Sequence, residues 1–541
     1  MMGAADTASP GTGGRSRPSP SVILAVVGFS VFVAADDLTV VSTMLRPIIG
    51  DLGLVLPDGL DDAAWVVNAY LIAFVAIMPV AGRISDVVGR RRTFVGAYLL
   101  FLAGSILIPW SVQFDEPFGW FLFGRILTAI GGGAMVPVAL AVVGDVYPAG
   151  RRARALGTLG AIETMGWVWG PLYGAMLVRF LAWEWQFWLN IPLAIGGLAA
   201  SWWALAGHDR PVERRRIDWL GTTLLTAFLV SLNVALLGGA EIQSVQGLDE
   251  LTGGGGPDLW WLYPVATLAA GLFVVQQSYS ANPLFDADLF RGRNLVIALG
   301  VNFVVGAGLV IAMVDVPLFI NSVEVDLERA AVYSGWVLSA LTAAMAVTSY
   351  VGGRLTERWW YRPPVLLGLA LSTGSYAWMG ATWSADTSYP VFGVQLALLG
   401  GGFGLTVAPT TSAVVDAAPD HQRGAAASIV MVVRLLGLSV GLSALTAWGL
   451  ARFNELRGTI ALPPITDPGF EAAVTEAQAT LTAQAIAETF TAAAVVLGAG
   501  LLATLAMRRR GSSASRPDRH ADTHRTVPSA DHTEALEGAP T

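Results

Sequence analysis

The chain has 541 residues, of which 54% are hydrophobic and only 13% charged, with 61 Gly, 19 Trp and a formal net charge of −8. Soluble domains carry about a quarter of their residues as charged ones, and a soluble chain of this length divides into domains joined by polar linkers. Here the apolar character runs almost unbroken from Ser21 to Met507, which excludes an ordinary soluble enzyme and points to an integral membrane protein.

The absence of Cys removes disulfides and thiolate metal sites. His208 and His421 fall in polar loops, and His520, His524 and His532 fall in the C-terminal tail, so no metal site is expected. All 32 basic residues are Arg.

Residues 1–20 are rich in Gly, Ser and Pro, with no short apolar core before a small-residue cleavage site. They read as a disordered cytoplasmic tail without a cleaved signal, and the first span directs insertion. Windows of roughly 20 apolar residues, enough to cross about 30 Å of hydrocarbon, then follow in order. They cover 21–45, 63–82, 93–112, 118–144, 153–178, 185–206, 219–240, 259–278, 295–320, 332–352, 363–383, 390–415, 425–449 and 486–507. These segments are continuously apolar rather than alternating, so fourteen transmembrane helices are expected and not a β-barrel. The tail at 508–541 is polar and aperiodic and reads as disordered, with Arg508, Arg509 and Arg510 placed to meet anionic headgroups.

Alternating the loops between two sides puts 25 Arg with both termini, five (Arg46, Arg179, Arg329, Arg452, Arg457) opposite, and two (Arg125, Arg434) inside spans. The positive-inside rule places both termini in the cytoplasm of a multi-pass plasma-membrane protein.

The sequence contains a repeat. Gly82-Arg83-Ile84-Ser85-Asp86 closes the second span and Gly353-Arg354-Leu355-Thr356-Glu357 the tenth, while Asp145-Val146-Tyr147-Pro148 and Asp416-Ala417-Ala418-Pro419 follow the fourth and twelfth. Both matches lie 271 positions apart. The expected organisation is a six-helix half at 21–206, a linker at 207–294 holding two extra helices (219–240 and 259–278), and a second six-helix half at 295–507.

Gly82 to Arg92, with Gly82, Arg83, Asp86, Gly89, Arg90 and Arg91 at its marked positions, resembles the signature loop of the major facilitator superfamily. Gly166, Gly170, Pro171 and Gly174 resemble the fifth-helix motif of its antiporters. Trp183 to Pro192 resembles the mark of its fourteen-helix drug:proton antiporters, with Glu184 where that family usually has Arg. Within that family, Val314 to Phe319, Thr446 to Asn454 and Gly170 to Gly174 resemble mycobacterial triacylglyceride exporters that work with a lipid-carrying lipoprotein. The resemblance spans residues 21–507. It implies an all-α major facilitator fold, alternating access, and no nucleic acid partner.

The loop at 82–92 sits between spans 2 and 3, where a carboxylate at the N-terminus of the following helix, with Arg partners, can latch and release the two halves. The second copy has Trp359 and Trp360 in place of the second Gly and its neighbouring Arg, so the latch is expected to be asymmetric. Gly166, Gly170 and Gly174 recur every fourth residue and let another helix approach closely, and Pro171 leaves a carbonyl unpaired.

Ionisable residues inside spans cost about 2.5–3.5 kcal/mol each on insertion scales, which marks them as functional candidates. They are Asp36, Asp37, Arg125, Glu163, Asp315 and Arg434. Adjacent Asp36 and Asp37 repel when both are ionised, which suits proton binding and release. The resemblance assigns the proton-carrying role to Asp37 in Asp37-Leu38-Thr39-Val40-Val41, with Asp36 as a modulator, and gives Arg125 the place of the family's fourth-helix arginine. Thr128 and Ala129 stand where that family has Gln and Gly. Glu163 and Arg434 again differ by 271, which suggests a cavity pair that forms in one state and breaks in another. Asp315 matches the exporters' Val-Asp-Val segment or serves as a satisfied group at the outer interface.

Between the last two helices, about 450–485, an extracytoplasmic extension is expected. Asp467-Pro468 reads as a helix start, giving a final helix of about 40 residues, roughly 60 Å long. Phe470, Val474, Leu481 and Ile486 form a loose apolar stripe on it, readable as a lipid shield or a plain hairpin.

The sequence thus reads as a proton-coupled antiporter exporting lipids such as triacylglycerides or other hydrophobic amphiphiles, with polyspecific drug efflux as the alternative. A membrane enzyme would need a nucleophile with a base, or a metal cluster, and neither is present in the pattern. No P-loop occurs, and no cofactor is expected.

Overall fold

The computed structural model describes residues 18–54, 60–207, 218–237, 259–281, 283–285, 287–324, 327–384, 387–419, 422–457 and 470–508. The N-terminal tail before residue 18, the C-terminal tail after 508 and the expected helix start at Asp467-Pro468 lie outside the described residues.

Among the described residues the long helices are α1 (Pro20–Asp51), α2 (Leu60–Val88), α3 (Arg90–Trp110), α4 (Pro117–Val146), α5 (Ala149–Phe180), α6 (Glu184–Ala204), α7 (Trp219–Leu237) and α8 (Leu262–Tyr279). They continue with α9 (Arg293–Val323), α10 (Leu327–Trp359), α11 (Arg362–Thr382), α12 (Tyr389–Ala417), α13 (Arg423–Arg457) and α14 (Phe470–Thr504), and no strand is present among these residues. Each expected window falls on one of them. Ten carry a segment long and apolar enough to cross a membrane; α5, α6, α8 and α11, richer in Trp, Gly, Ser, Gln or Arg, fall short of that measure.

The helices outrun the windows because a charge at the membrane surface ends an apolar run without ending a helix. Proline at the first turn fixes the start of α1, α4, α11 and α12, where its missing N–H has no helical partner in any case. The α2–α3 break falls on Gly89, whose φ of 109° favours glycine. The final helix has 35 residues, about 52 Å at 1.5 Å each.

Helix pairing obeys the 271-residue offset. Within the first six helices α1 packs on α4, α5 and α6, α2 on α4, and α3 on α4 and α6. Within the last six, α9 packs on α12, α13 and α14, α10 on α12, and α11 on α12 and α14. The two sets meet reciprocally, α5 against α10 and α2 against α13. Glycines set these approaches: a Cβ at Gly82 would meet the Gly424 carbonyl, and one at Gly353 would lie 2.6 Å from the Ala153 carbonyl, the same contact displaced by 271 at both partners.

Two large apolar cores form. Tyr98, Phe101 and Leu140 belong to one, which also takes in Val432 and Leu435 of α13; Leu369, Phe403 and Phe490 belong to the other. Helices α7 and α8 pack on each other, and α7 also packs on α2 and α13.

At the far end α13 and α14 are tied together. Arg452 bonds Glu488 and Glu455, and these two carboxylates hold the guanidinium pKa above its ordinary value. Leu481 packs with Leu456 and Ala485, and Ile486 joins the core of the last six helices. The apolar stripe, readable as a lipid shield or a plain hairpin, is thus half accounted for by packing: Leu481 and Ile486 are buried, while Gln484 is exposed. The side chains of Phe470, Glu471, Val474 and Glu476 lie outside the described residues.

Candidate functional site: buried charges and a crossed latch

Helix α1 presents Asp36 to α6 and Asp37 to both α4 and α6. Asp37 is fully buried; its Oδ2 receives Nη1 of Arg125 from α4 at 3.3 Å and its Oδ1 receives Nδ2 of Asn190 from α6 at 3.1 Å. The Arg125 guanidinium in turn lies 4.1 Å above the ring of Tyr70 on α2, so four helices close around one carboxylate. Asp36 accepts from Nε2 of Gln186 at 3.0 Å, while its other oxygen, also buried, has no hydrogen-bond partner.

Helix α1 comes this close because α5 offers it no side chains. A Cβ at Gly166 would lie 2.9 Å from the Phe32 carbonyl, one at Gly170 2.9 Å from the Asp36 carbonyl, and one at Gly174 3.0 Å from the Val40 carbonyl. Pro171 lies inside α5 beside them. The glycine motif therefore backs directly onto the acidic pair. It recurs unannounced in the second set: Gly437 and Gly441, each 271 further on, face the backbone of Phe303 and Ala307 on α9.

Glu163 on α5 and Arg434 on α13 meet between the two helix sets, with Arg434 Nη2 3.3 Å from Glu163 Oε2 and 3.4 Å from Oε1, and both residues buried. Asp315 stands apart. It is buried in α9 with Oδ2 unpartnered, and among the described residues it shares no hydrogen bond or ion pair with the others.

A second cluster closes the end where α2 meets α3. Asp86 does not cap the helix that follows it. It accepts the N–H groups of Gly424 and Ala425, both at 3.0 Å, at the N-terminus of α13 in the opposite set, and Arg90 Nη1 lies 2.7 Å from it. Arg90 also bonds Asp145 at 3.1 Å and Arg423 reaches the same Asp145 from across the interface at 3.1 Å. In the other copy Asp416 receives Arg152 and Tyr361, and Glu357 pairs with the exposed Arg154. Arg83 is buried at this end, and Arg91 stacks 3.7 Å over Trp202 on α6.

Gln186, Asn190, Tyr70, Arg152 and Arg423 carry contacts that the sequence reading did not assign. Two signals were available: polar residues at i and i+4 in the apolar α6, and the 271 spacing of Arg152 and Arg423.

The profile of the Major Facilitator Superfamily matches residues 27–442. The chain belongs to the major facilitator superfamily. Curated relatives of this transporter include the triacylglyceride transporter of Mycobacterium tuberculosis H37Rv, 31% identical with 93% of this chain and 97% of that protein covered. Another is the triacylglyceride transporter of Mycolicibacterium smegmatis, 31% identical over 87% and 82%. Among solved structures the human organic anion transporter MFSD10 superposes with a TM-score of 0.59 at 16% identity, covering 90% of this chain and all of that one. The proton:xylose symporter XylE gives 0.55 at 12% identity over 88% and 94%. These likenesses give the fold. Family and relatives are transporters and not enzymes.

Proposed function

We propose that this major facilitator protein is a proton-coupled antiporter that exports triacylglyceride or a similar hydrophobic amphiphile across the plasma membrane. In this reading all fourteen long helices cross the bilayer, both termini are cytoplasmic, and two six-helix halves rock about the substrate with α7 and α8 inserted between them. The observation that carries it is the fully buried Asp37, held between Arg125 and Asn190 beside Asp36. Ionising such a group in hydrocarbon is costly without those partners, so its proton and its contacts change together as water access alternates.

In this reading the crossed contacts around Asp86, Asp145 and Asp416 are the cytoplasmic gate in its closed state. Glu163 with Arg434 also joins the halves, and in this reading the pair breaks when that gate opens. Asp315 supplies a further buried carboxyl in the second half. The lipid cargo rests on the names of the mycobacterial relatives; the α13–α14 extension would hand the lipid to an extracytoplasmic lipid-carrying lipoprotein.

The test is release of labelled triacylglyceride from proteoliposomes under an imposed pH gradient, with a cationic dye as parallel cargo. Lipid release that stops when an ionophore collapses the gradient supports the reading. Dye movement without lipid release replaces it with drug antiport.

A further inference from the structure

Gln186 and Asn190 stand one turn apart on α6 and take the two neighbouring carboxyls of α1, Gln186 on Asp36 and Asn190 on Asp37. The Asp37 pairing is completed by the Arg125 cation. The Asp36 pairing leaves two atoms over. Asp36 Oδ1 and Gln186 Oε1 are both buried and both without a hydrogen-bond partner, on residues only 7% and 1% exposed.

An ionised carboxylate oxygen and an amide oxygen are acceptors only, so neither can satisfy the other. Buried polar atoms left in that condition call for a physical cause. Among the described residues no cation pairs with Asp36: Arg125 is held by Asp37, and Arg434 by Glu163. The titratable groups that face Asp36 are Asp37 on its own helix, Tyr70 of α2 and Tyr173 of α5, and none of them brings a positive charge. One proton supplies what is missing. Carried on Asp36 Oδ1, it is donated to Gln186 Oε1 while Gln186 Nε2 donates to Asp36 Oδ2 at 3.0 Å, and the two side chains close a carboxylic acid–amide ring with no acceptor left over.

We propose that Asp36 is held as the neutral acid by a two-bond ring with Gln186, and that this ring sets α6 where Asn190 reaches Asp37. Gln186 is thus a positioning residue that acts through Asp36. Loss of the proton turns Asp36 Oδ1 against both Gln186 Oε1 and the Asp37 charge, the ring opens, and the hold of Asn190 on Asp37 loosens. The clasp is closed at low pH and released as pH rises through the Asp36 titration. It deepens the proton-coupled reading of the same acidic pair, yet its test needs no cargo.

The experiment is infrared difference spectroscopy of the full chain in lipid nanodiscs from pH 5 to 9, parent against Asp36→Asn. The parent should show a carboxylic acid C=O stretch at neutral pH that Asp36→Asn lacks and that fades as pH rises. Gln186→Met, equal in length but unable to close the ring, should move that band to higher wavenumber, as an acid stripped of hydrogen bonds does. Gln186→Leu is the second variant, and thermal unfolding checks the fold of each. In proteoliposomes Asp36→Asn, which keeps an amide–amide clasp at every pH, should flatten the alkaline fall of whatever coupled transport it retains. No acid band assignable to Asp36 at neutral pH, or a band that the folded Gln186 variants leave in place, would overturn the proposal. A parent chain that moves neither lipid nor dye would overturn the antiport reading instead, and the band would still decide the clasp.

Discussion

Arg423 at the start of α13 reaches Asp145 at the end of α4 at 3.1 Å, and Arg152, 271 positions earlier, reaches Asp416 in the mirror arrangement. Each half thus lends a cation to the other's carboxylate. The two copies differ in reinforcement: Asp145 also holds Arg90, whereas Asp416 receives the neutral Tyr361. Removing Arg423 should therefore loosen the gate without dismantling it. Partly buried pairs of this kind contribute about 1–2 kcal/mol, and Arg423→Ala should shift the closed population of the gate by roughly tenfold. Spin-label distances across the α2–α13 seam in nanodiscs would read the shift. An unchanged distance distribution would remove Arg423 from the gate.

Asp37→Asn keeps the shape and the contact with Asn190 but leaves the Arg125 charge, buried with it, without its counter-ion. Breaking one side of a buried pair costs about 3–5 kcal/mol, so a lower unfolding temperature is expected. Proton-driven lipid release should fall to background, while energy-independent exchange of lipid between the two leaflets persists. Asp36→Asn, which loses only the charge beside Gln186, should retain a fraction of coupled transport. Full coupled activity in Asp37→Asn would show that the proton travels elsewhere.

The repeat made much of this legible in advance. The windows fell on helices, and the shared offset of Glu163 and Arg434 anticipated that they would face one another across the halves. The partners of Asp36 and Asp37 were harder, because which helix presents Gln186 and Asn190 to α1 depends on packing angles that spacing does not encode. Leu481 and Ile486 show another limit: an apolar stripe that docks a partner and one that packs on its own neighbour have the same period. The turn that Gly89 makes at φ 109° is made in the second copy by Trp360 at φ 73°, a conformation side-chain-bearing residues rarely adopt. A search for glycine misses it.

Glu163 and Arg434 invite a double-mutant cycle on transport. If their contact holds one state of the cycle, Glu163→Gln and Arg434→Gln should each slow coupled lipid release by about ten- to a hundredfold. The double variant should then be little worse than either single one. Strictly additive losses in initial rates would mean the two residues act independently, despite the 3.3 Å separation seen here.

Gly170 and Gly441 provide a matched control built into the fold. An added methyl at Gly170 would press on the Asp36 carbonyl at 2.9 Å, and one at Gly441 on the Ala307 carbonyl at 2.8 Å, the equivalent contact in the other half. Overpacking of this kind costs about 1–3 kcal/mol, so Gly170→Ala and Gly441→Ala should lower the unfolding temperature by similar amounts. Only Gly170→Ala displaces the backbone that carries the acidic pair. It alone should move the midpoint of the pH dependence of transport, whereas Gly441→Ala should lower the rate at every pH alike. Transport rates measured from pH 5 to 9 in both variants separate the two effects, and an identical profile would reduce the glycine motif to a packing device.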